Sequence, residues 1–262
     1  MDGDCKTAVV TGGTGEIGFA IAHKLLCNKG KKVVLIGNDT KKGSEVVDSL
    51  NCSFGRSKAT FYKCDITNRE EVEGTMKKAK NDLDEIDIVV NAAGVWNDVC
   101  WPNEMETNLG GTINVVLSAR NHIKKGNGVV INLTGLSALE PFPNSPLFAS
   151  FGAGVIHFTR SFGHDVNFRR FGVRVVALCL GITKTNLHVD LDKKMLTKEM
   201  GKGMSDFLKN ACYQKPDACA CAVAELVKYG PPGSVWVVEG SRLFYYDVPD
   251  YKECLNLVSQ FM

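Results

Sequence analysis

The stretch that decides the fold reads Lys6-Thr-Ala-Val-Val-Thr-Gly-Gly-Thr-Gly-Glu-Ile-Gly18. Thr7–Val10 is a short β-branched run, long enough for one buried parallel strand. Gly12, Gly13, Gly15 and Gly18 then let the chain turn sharply and let its backbone approach a ligand closely. Ile17, Ala20, Ile21, Lys24 and Leu25 follow at helical spacing, so a helix N-terminus opens where the turn ends. Unpaired N–H groups and the positive dipole end at that point make a site for a dinucleotide pyrophosphate. Glu16 puts a carboxylate into this turn. An acid in a first helical turn is ordinarily stabilising by about 0.3–1 kcal/mol; beside a phosphate it weakens the site.

Outward from this turn, strands and helices alternate. The apolar runs Lys32–Ile36, Ala59–Lys63, Ile86–Val90, Gly128–Leu133, Val173–Cys179 and Ser234–Val238 read as six further strands. Between them, helices are expected over Lys41–Asn51, Arg69–Asp82, Glu104–Lys124, Pro146–Phe171 and Asp217–Tyr229. Such alternation implies an α/β fold: a single doubly wound parallel sheet of about seven strands, Rossmann-like, with helices on both faces. No repeat or linker divides the chain, so residues 1–262 read as one domain.

Composition narrows the function. The 262 residues carry 31 basic and 29 acidic side chains, a net charge of +2, which gives no electrostatic reason to expect nucleic acid or an anionic membrane as partner. No apolar run reaches the roughly 18 residues of a membrane span, and no signal peptide fits ahead of the first strand. Ten cysteines occur without CxxC pairs, pointing to a reduced, cytoplasmic location.

Ligands of such sheets bind at the carboxyl ends of the strands. The second strand ends in Gly37-Asn38-Asp39, where an NAD site wants an acid and an NADP site an arginine. Gly37 offers neither, and Asp39 reads as the N-cap of the next helix. Cys64-Asp65-Ile66 follows the third strand and Asn91-Ala92-Ala93-Gly94 the fourth. With the glycine turn, Thr107-Asn108-Leu109, Phe158-Thr-Arg-Ser161 and Gly181-Ile-Thr-Lys-Thr185, these motifs resemble the short-chain dehydrogenase/reductase family over nearly the whole chain. Gly233-Ser-Val-Trp-Val-Val-Glu-Gly240 is most similar to the branch of hydroxyprostaglandin dehydrogenases and insect-type alcohol dehydrogenases. The resemblance implies a dinucleotide site at Gly12, Gly15, Ile17, Gly18, Asp65, Ile66, Asn91, Ala92, Gly94 and Thr185. It further implies that Asp65 meets the adenine, Asn91 braces the central strands and Asn108 holds the active-site water. NAD is the implied cofactor, but Glu16 replaces the family's middle glycine and Gly37 lacks its ribose acid, so dinucleotide binding stays open.

The family's chemistry needs a tyrosine, a lysine one helical turn later that lowers the phenol's pKa, and a serine further back that orients the substrate. A phenol near pKa 10 is a poor base at neutral pH without such a cation. Alignment on Phe158-Thr-Arg-Ser161 puts the tyrosine position at Phe148, the lysine position at Gly152 and the serine position at Gly135. No tyrosine or lysine lies between Gly126 and Arg170, so no shift of register restores the set. His157, the nearest imidazole in sequence, is expected to be buried on the helix away from the strand ends. Lys184 is the one cation whose place after the sixth strand lets it reach the cleft, although it reads first as an exposed loop lysine.

Residues 186–214 fall where the family carries its substrate lid, and Met195, Leu196, Met200, Met204, Phe207 and Leu208 make them partly apolar. Such a segment either adapts to an apolar ligand or packs on the core. The cleft is expected to be bordered by Trp96, Trp101, Gly135, Phe148, Gly181, Lys184, Met204 and Phe207. Three functions are compatible with this pattern. The first is an inactive or strongly impaired family member that binds a small hydrophobic molecule. The second is an NAD(P)-dependent oxidoreductase acting on a lipid-like alcohol or ketone through relocated groups such as Lys184 or Tyr213. The third is a structural, storage or dimer-partner protein. The family resemblance also implies a homodimer; no metal site is expected.

Overall fold

The computed structural model describes residues 5–249 and 252. The outermost ends of the expected 1–262 domain, Cys254 among them, lie outside the described residues.

Eight strands form one sheet: β1 (Thr7–Thr11), β2 (Lys32–Gly37), β3 (Ala59–Lys63), β4 (Ile88–Asn91), β5 (Gly128–Gly135), β6 (Val173–Leu180), β7 (Val235–Glu239) and β8 (Arg242–Tyr246). Their order is β3-β2-β1-β4-β5-β6-β7-β8, with every neighbour parallel except the antiparallel β7–β8 pair. The chain reverses direction across the sheet between β1 and β4, and a ligand crevice opens above the carboxyl ends at such a switch point.

Period-two alternation divides the core between the two faces. Val10, Leu35, Val90, Ile131 and Leu178 pack under α1 (Glu16–Cys27), α2 (Thr40–Phe54) and α9 (Pro216–Tyr229), against Ile21, Leu25, Leu50, Val223 and Leu226. Val9, Val34, Val89 and Val130 face the other way, onto Met76 of α3 (Arg69–Leu83) and Val115 and Val116 of α5 (Thr112–His122). Asp39 caps α2 as read, accepting a 3.0 Å hydrogen bond from the Lys42 N–H.

Besides shifts of one to three residues at element ends, three larger differences from the sequence reading appear. The helix expected over Glu104–Lys124 is α4 (Trp101–Met105), a π-helical turn (Glu106–Gly111) and then α5. Two glycines, Gly110 and Gly111, and the bond from Thr112 Oγ1 back to the Asn108 carbonyl (2.8 Å) accompany the wider turn. The helix expected over Pro146–Phe171 breaks into α6 (Pro146–Phe162) and α7 (Asp165–Phe171). The break falls at His164, whose backbone is extended (φ −56°, ψ 146°) and whose side chain caps α7; Gly163 before it must be glycine, since a Cβ there would stand 2.5 Å from the Val175 carbonyl oxygen and 2.6 Å from the Gly233 nitrogen. The eighth strand returns through Gly240 and Ser241, both at positive φ, the geometry of a two-residue hairpin turn. Among the described residues, no helix is long and apolar enough to cross a membrane.

Candidate functional site

The glycine turn packs tightly. A Cβ on Gly12 (φ +63°) would lie 2.6 Å from the Ala93 backbone, and one on Gly18 would press into the Gly12 carbonyl oxygen. Side chains at these two places are excluded by backbone, so β1, the turn and the loop after β4 are locked together. Across the strand ends, Thr11 Oγ1 donates to Asn91 Oδ1 (3.4 Å), Asn91 Nδ2 to Asn132 Oδ1 (2.8 Å) and Asn132 Nδ2 to Thr159 Oγ1 (2.8 Å). This buried chain ties β1, β4, β5 and α6 and gives Asn91 the bracing place expected of it.

Above the ends of β4, β5 and β6 lies a cavity of about 380 Å³. It brings together Gly135, Phe148 and Gly152, the three positions where a catalytic set was sought, with Ile17, Ala92, Gly94, Trp96, Asn108, Gly181, Thr185 and Phe207. Trp96 and Phe148 form one wall, stacked with ring centroids 4.1 Å apart and planes 10° from parallel. Phe142 and Phe207 meet edge to face at 5.1 Å beside them.

Gly152 has no room for a side chain. A Cβ there would lie 2.6 Å from Thr134 Oγ1 and 2.9 Å from the Ala138 Cβ. At Gly135 a Cβ would touch Phe148 Cε1 and Ser137 Oγ at 3.3 Å. Asn108 spends both amide atoms on one neighbour: Oδ1 accepts from the Val95 N–H (2.8 Å) and Nδ2 donates to the Val95 carbonyl (2.7 Å). Its side chain therefore clamps the loop after β4, which its expected role as a water holder did not anticipate.

Several expected residues stand elsewhere. Met204 is fully buried behind Trp96 in a cluster with Leu191 and Met195, because α8 (Lys198–Asn210) turns its apolar stripe to the core. Lys184 is exposed and outside the cavity wall; its backbone N–H pairs with the Gln214 carbonyl. Trp101 is 44% exposed at the start of α4. His157 is exposed, not buried. Gly12, Gly15, Gly18, Asp65, Ile66 and Asn91 lie outside the cavity lining.

The imidazole in the cleft is His188, which the sequence reading missed. It sits edge-on between Trp96 (5.9 Å) and Tyr213 (6.0 Å), and burial holds its pKa below the usual 6.5, so it is neutral at pH 7. Glu140, Phe142, Cys212 and Glu239 also line the cavity and were equally missed. The hydroxyl of Thr185 is buried with no hydrogen-bond partner among the described residues.

Behind the Trp96 wall, polar groups are sealed from water. Trp96 Nε1 donates to Ser145 Oγ (2.7 Å), Ser145 donates to Asp98 Oδ1 (2.5 Å), and Asp98 Oδ2 accepts from the Leu147 N–H (3.2 Å) in the first turn of α6. A carboxylate at a helix N-terminus is favoured by the dipole. Glu104, fully buried next to it, accepts from the Asn97 N–H at 2.9 Å while its second oxygen has no partner among the described residues. Burial, with the Asp98 charge adding to it, pushes Glu104 up to about 7.

A dinucleotide can be tested against these groups. At its adenosine end the glycine turn, Asp65 and Ile66 remain, although Asp65 Oδ1 already accepts from the Thr67 N–H and hydroxyl, both at 2.9 Å. The pyrophosphate and nicotinamide ends do not fit. Glu16 Oε1 lies at the N-terminus of α1 and accepts from the Asn186 N–H (3.1 Å), across the mouth of the cleft. No cation stands where the nicotinamide ribose would need one, since Gly152 cannot carry a side chain in this packing.

The family model for short chain dehydrogenase matches residues 6–196. Alcohol dehydrogenase 2 of Ceratitis cosyra is 28% identical over 236 residues, spanning 88% of this chain and 90% of its own. The 15-hydroxyprostaglandin dehydrogenase [NAD(+)] of Homo sapiens is 31% identical over 193 residues, 72% of either chain. Among solved structures, a variant actinorhodin polyketide ketoreductase with NADPH superposes with a TM-score of 0.75 at 22% identity, covering 91% of this chain and 97% of its own. The last likeness speaks to the fold; the family match and the mammalian relative speak to ancestry. The chain belongs to the short-chain dehydrogenase family.

Proposed function

We propose that this chain is a non-catalytic member of its family that holds a small hydrophobic molecule in the cleft at the ends of β4, β5 and β6. The observation that carries the reading is Gly152. The position where the family resemblance puts the lysine is hemmed in by Thr134 and Ala138 at 2.6 and 2.9 Å, so the space for that side chain is filled. Without a cation, a phenol or alcohol in the cleft stays near its ordinary high pKa and is a poor proton carrier at pH 7. The stacked Trp96–Phe148 wall with Phe142 and Phe207 suits an apolar, flat ligand. Residues 186–214 act as its lid, supported by Leu187, His188, Phe207, Ala211 and Cys212 lining the cavity. A cytoplasmic homodimer with neither nucleic acid nor membrane as partner completes the proposal.

Purified protein titrated with a panel of apolar aromatic and aliphatic ligands, followed by calorimetry and by tryptophan fluorescence, tests it. Micromolar binding of at least one class is expected; silence across the panel overturns the reading.

A second reading keeps NAD(P)-dependent oxidation of a lipid-like alcohol or ketone. What favours it is the neutral His188 imidazole in the cleft, next to Tyr213 at 6.0 Å. Reduced-cofactor formation above buffer with any alcohol of a broad panel would move the function to this side.

A further inference from the structure

The charge inventory of the cleft says more about its occupant than hydrophobicity does. Among the described residues, the cavity wall includes no lysine and no arginine. Its acidic side chains are Glu140 and Glu239, both exposed, and Glu16, bonded to the Asn186 N–H, stands next in the chain to Ile17 of the same wall. Lys184, the nearest cation by sequence to this wall, is exposed and not part of it. His188 contributes no positive charge at pH 7, because burial holds its pKa down.

An anion entering this space would leave water without meeting a cation, which is the costly way to bury a charge. It would also approach like-charged groups at the rim. An ammonium or amidinium head would instead leave the apolar part of the molecule against Trp96 and Phe148 and meet carboxylates at the opening. A hydroxyl head carries no charge and would pay neither cost.

We infer that the cleft selects by charge: its ligand is a neutral or basic hydrophobic molecule, an amine or alcohol on an apolar body, and anionic lipids such as fatty acids are excluded. This rests on the proposed apolar-ligand function and sharpens it to a ligand class.

The test uses three probes with one apolar body: naphthylmethylamine, naphthylmethanol and naphthylacetate. Each is titrated calorimetrically into the whole protein at low and at moderate salt. The same series is run on a Glu140→Gln, Glu239→Gln double variant, whose thermal unfolding is checked against the parent. The amine and alcohol are expected to bind, with the carboxylate weaker than the amine by about tenfold or more, as for a charge placed among like rather than opposite charges. The amine-to-carboxylate gap should shrink in the double variant and with added salt. Carboxylate binding equal to or tighter than the amine would overturn the charge selection while leaving an apolar site intact. Binding of none of the three would overturn the apolar-ligand reading itself. A gap unchanged in the folded double variant would remove Glu140 and Glu239 from the explanation and overturn the inference as argued.

Discussion

The carboxylate of Glu16 accepts a hydrogen bond of 3.1 Å from the backbone N–H of Asn186, 170 residues further along the chain. One partner opens α1, where a pyrophosphate would seek unpaired N–H groups; the other opens the segment after β6 that borders the cleft. A negative charge thus occupies the positive end of the helix and is itself used to hold the loop across the mouth. Replacing Glu16 with Gly removes both functions. The Asn186 amide should then exchange its hydrogen faster, and NADH affinity should rise about two- to fivefold, the equivalent of about 0.3–1 kcal/mol at a helix terminus. Unchanged exchange at Asn186 would mean the bond does not hold the loop.

Restoring the side chains at the three silent positions should not restore chemistry. In a Gly135→Ser, Phe148→Tyr, Gly152→Lys variant, the lysine stem must displace Thr134 Oγ1 and the Ala138 Cβ from 2.6 and 2.9 Å. Overpacking of this kind costs about 1–3 kcal/mol, and Glu16 still faces the cofactor. The expected outcome is a lower Tm and no reduced-cofactor formation with aliphatic or aromatic alcohols. Vigorous NAD-dependent turnover would mean that Glu16 and the filled space at Gly152 matter little.

Glu104 makes stability fall as pH rises. Its folded pKa of about 7 lies above the ordinary glutamate value of 4.5, so between those values the folded state keeps a proton that the unfolded state has released. Over that window stability declines, by about 3 kcal/mol in total at about 1.4 kcal/mol per pH unit; above it the loss is complete. Glu104→Gln should flatten this decline and make the protein more stable at pH 8 than the parent. Urea unfolding at pH 5 and pH 8 on both proteins measures it, and parallel pH profiles would show that Glu104 is not the titrating group.

The wall of the cleft is set by Trp96. Trp96→Phe keeps an aromatic face toward Phe148 but deletes the indole N–H that holds Ser145 at 2.7 Å within a sealed polar network. Loss of a buried hydrogen bond of this type costs about 1–3 kcal/mol. Phe148→Ala removes the stacked partner instead and should weaken binding of any flat aromatic ligand while leaving the Ser145–Asp98 link in place. Denaturation of the first variant and ligand titration of the second separate the two roles; equal ligand affinity in Phe148→Ala would exclude the stack from the binding site.

Most of the sheet was legible because its strands are short β-branched runs between glycines, and because Asp39 and the Gly12–Gly18 turn carry local conformational signals. What was lost is non-local. Gly163 is needed at the α6–α7 junction because the carbonyl of Val175 and the backbone of Gly233 come within 3 Å of where its Cβ would be, a contact from distant strands. The β8 hairpin did carry a local signal, Gly240-Ser241 between two runs, but Arg242–Tyr246 is largely exposed and lacks clean alternation. In the site, positions counted back along the chain from Phe158 converged: Phe148 and Gly152 on α6 and Gly135 at the end of β5 share a cavity. Residues delivered by loops did not follow the count. His188 enters the cleft while Lys184 is the exposed loop lysine it first reads as, and Met204 turns into the core, since the fold of residues 186–210 is dictated by what packs beneath it. The Trp96–Ser145–Asp98 network links residues 47 and 49 apart and has no local signature.

Equilibrium binding of NADH and NADPH, by calorimetry on the purified chain, bears most directly on whether this dehydrogenase scaffold still serves a dinucleotide. With Glu16 at the helix N-terminus and no cation at Gly152, no binding is expected below about millimolar, roughly −4 kcal/mol. Micromolar binding, about −8 kcal/mol, would contradict the non-catalytic reading and return the cleft to oxidoreductase chemistry.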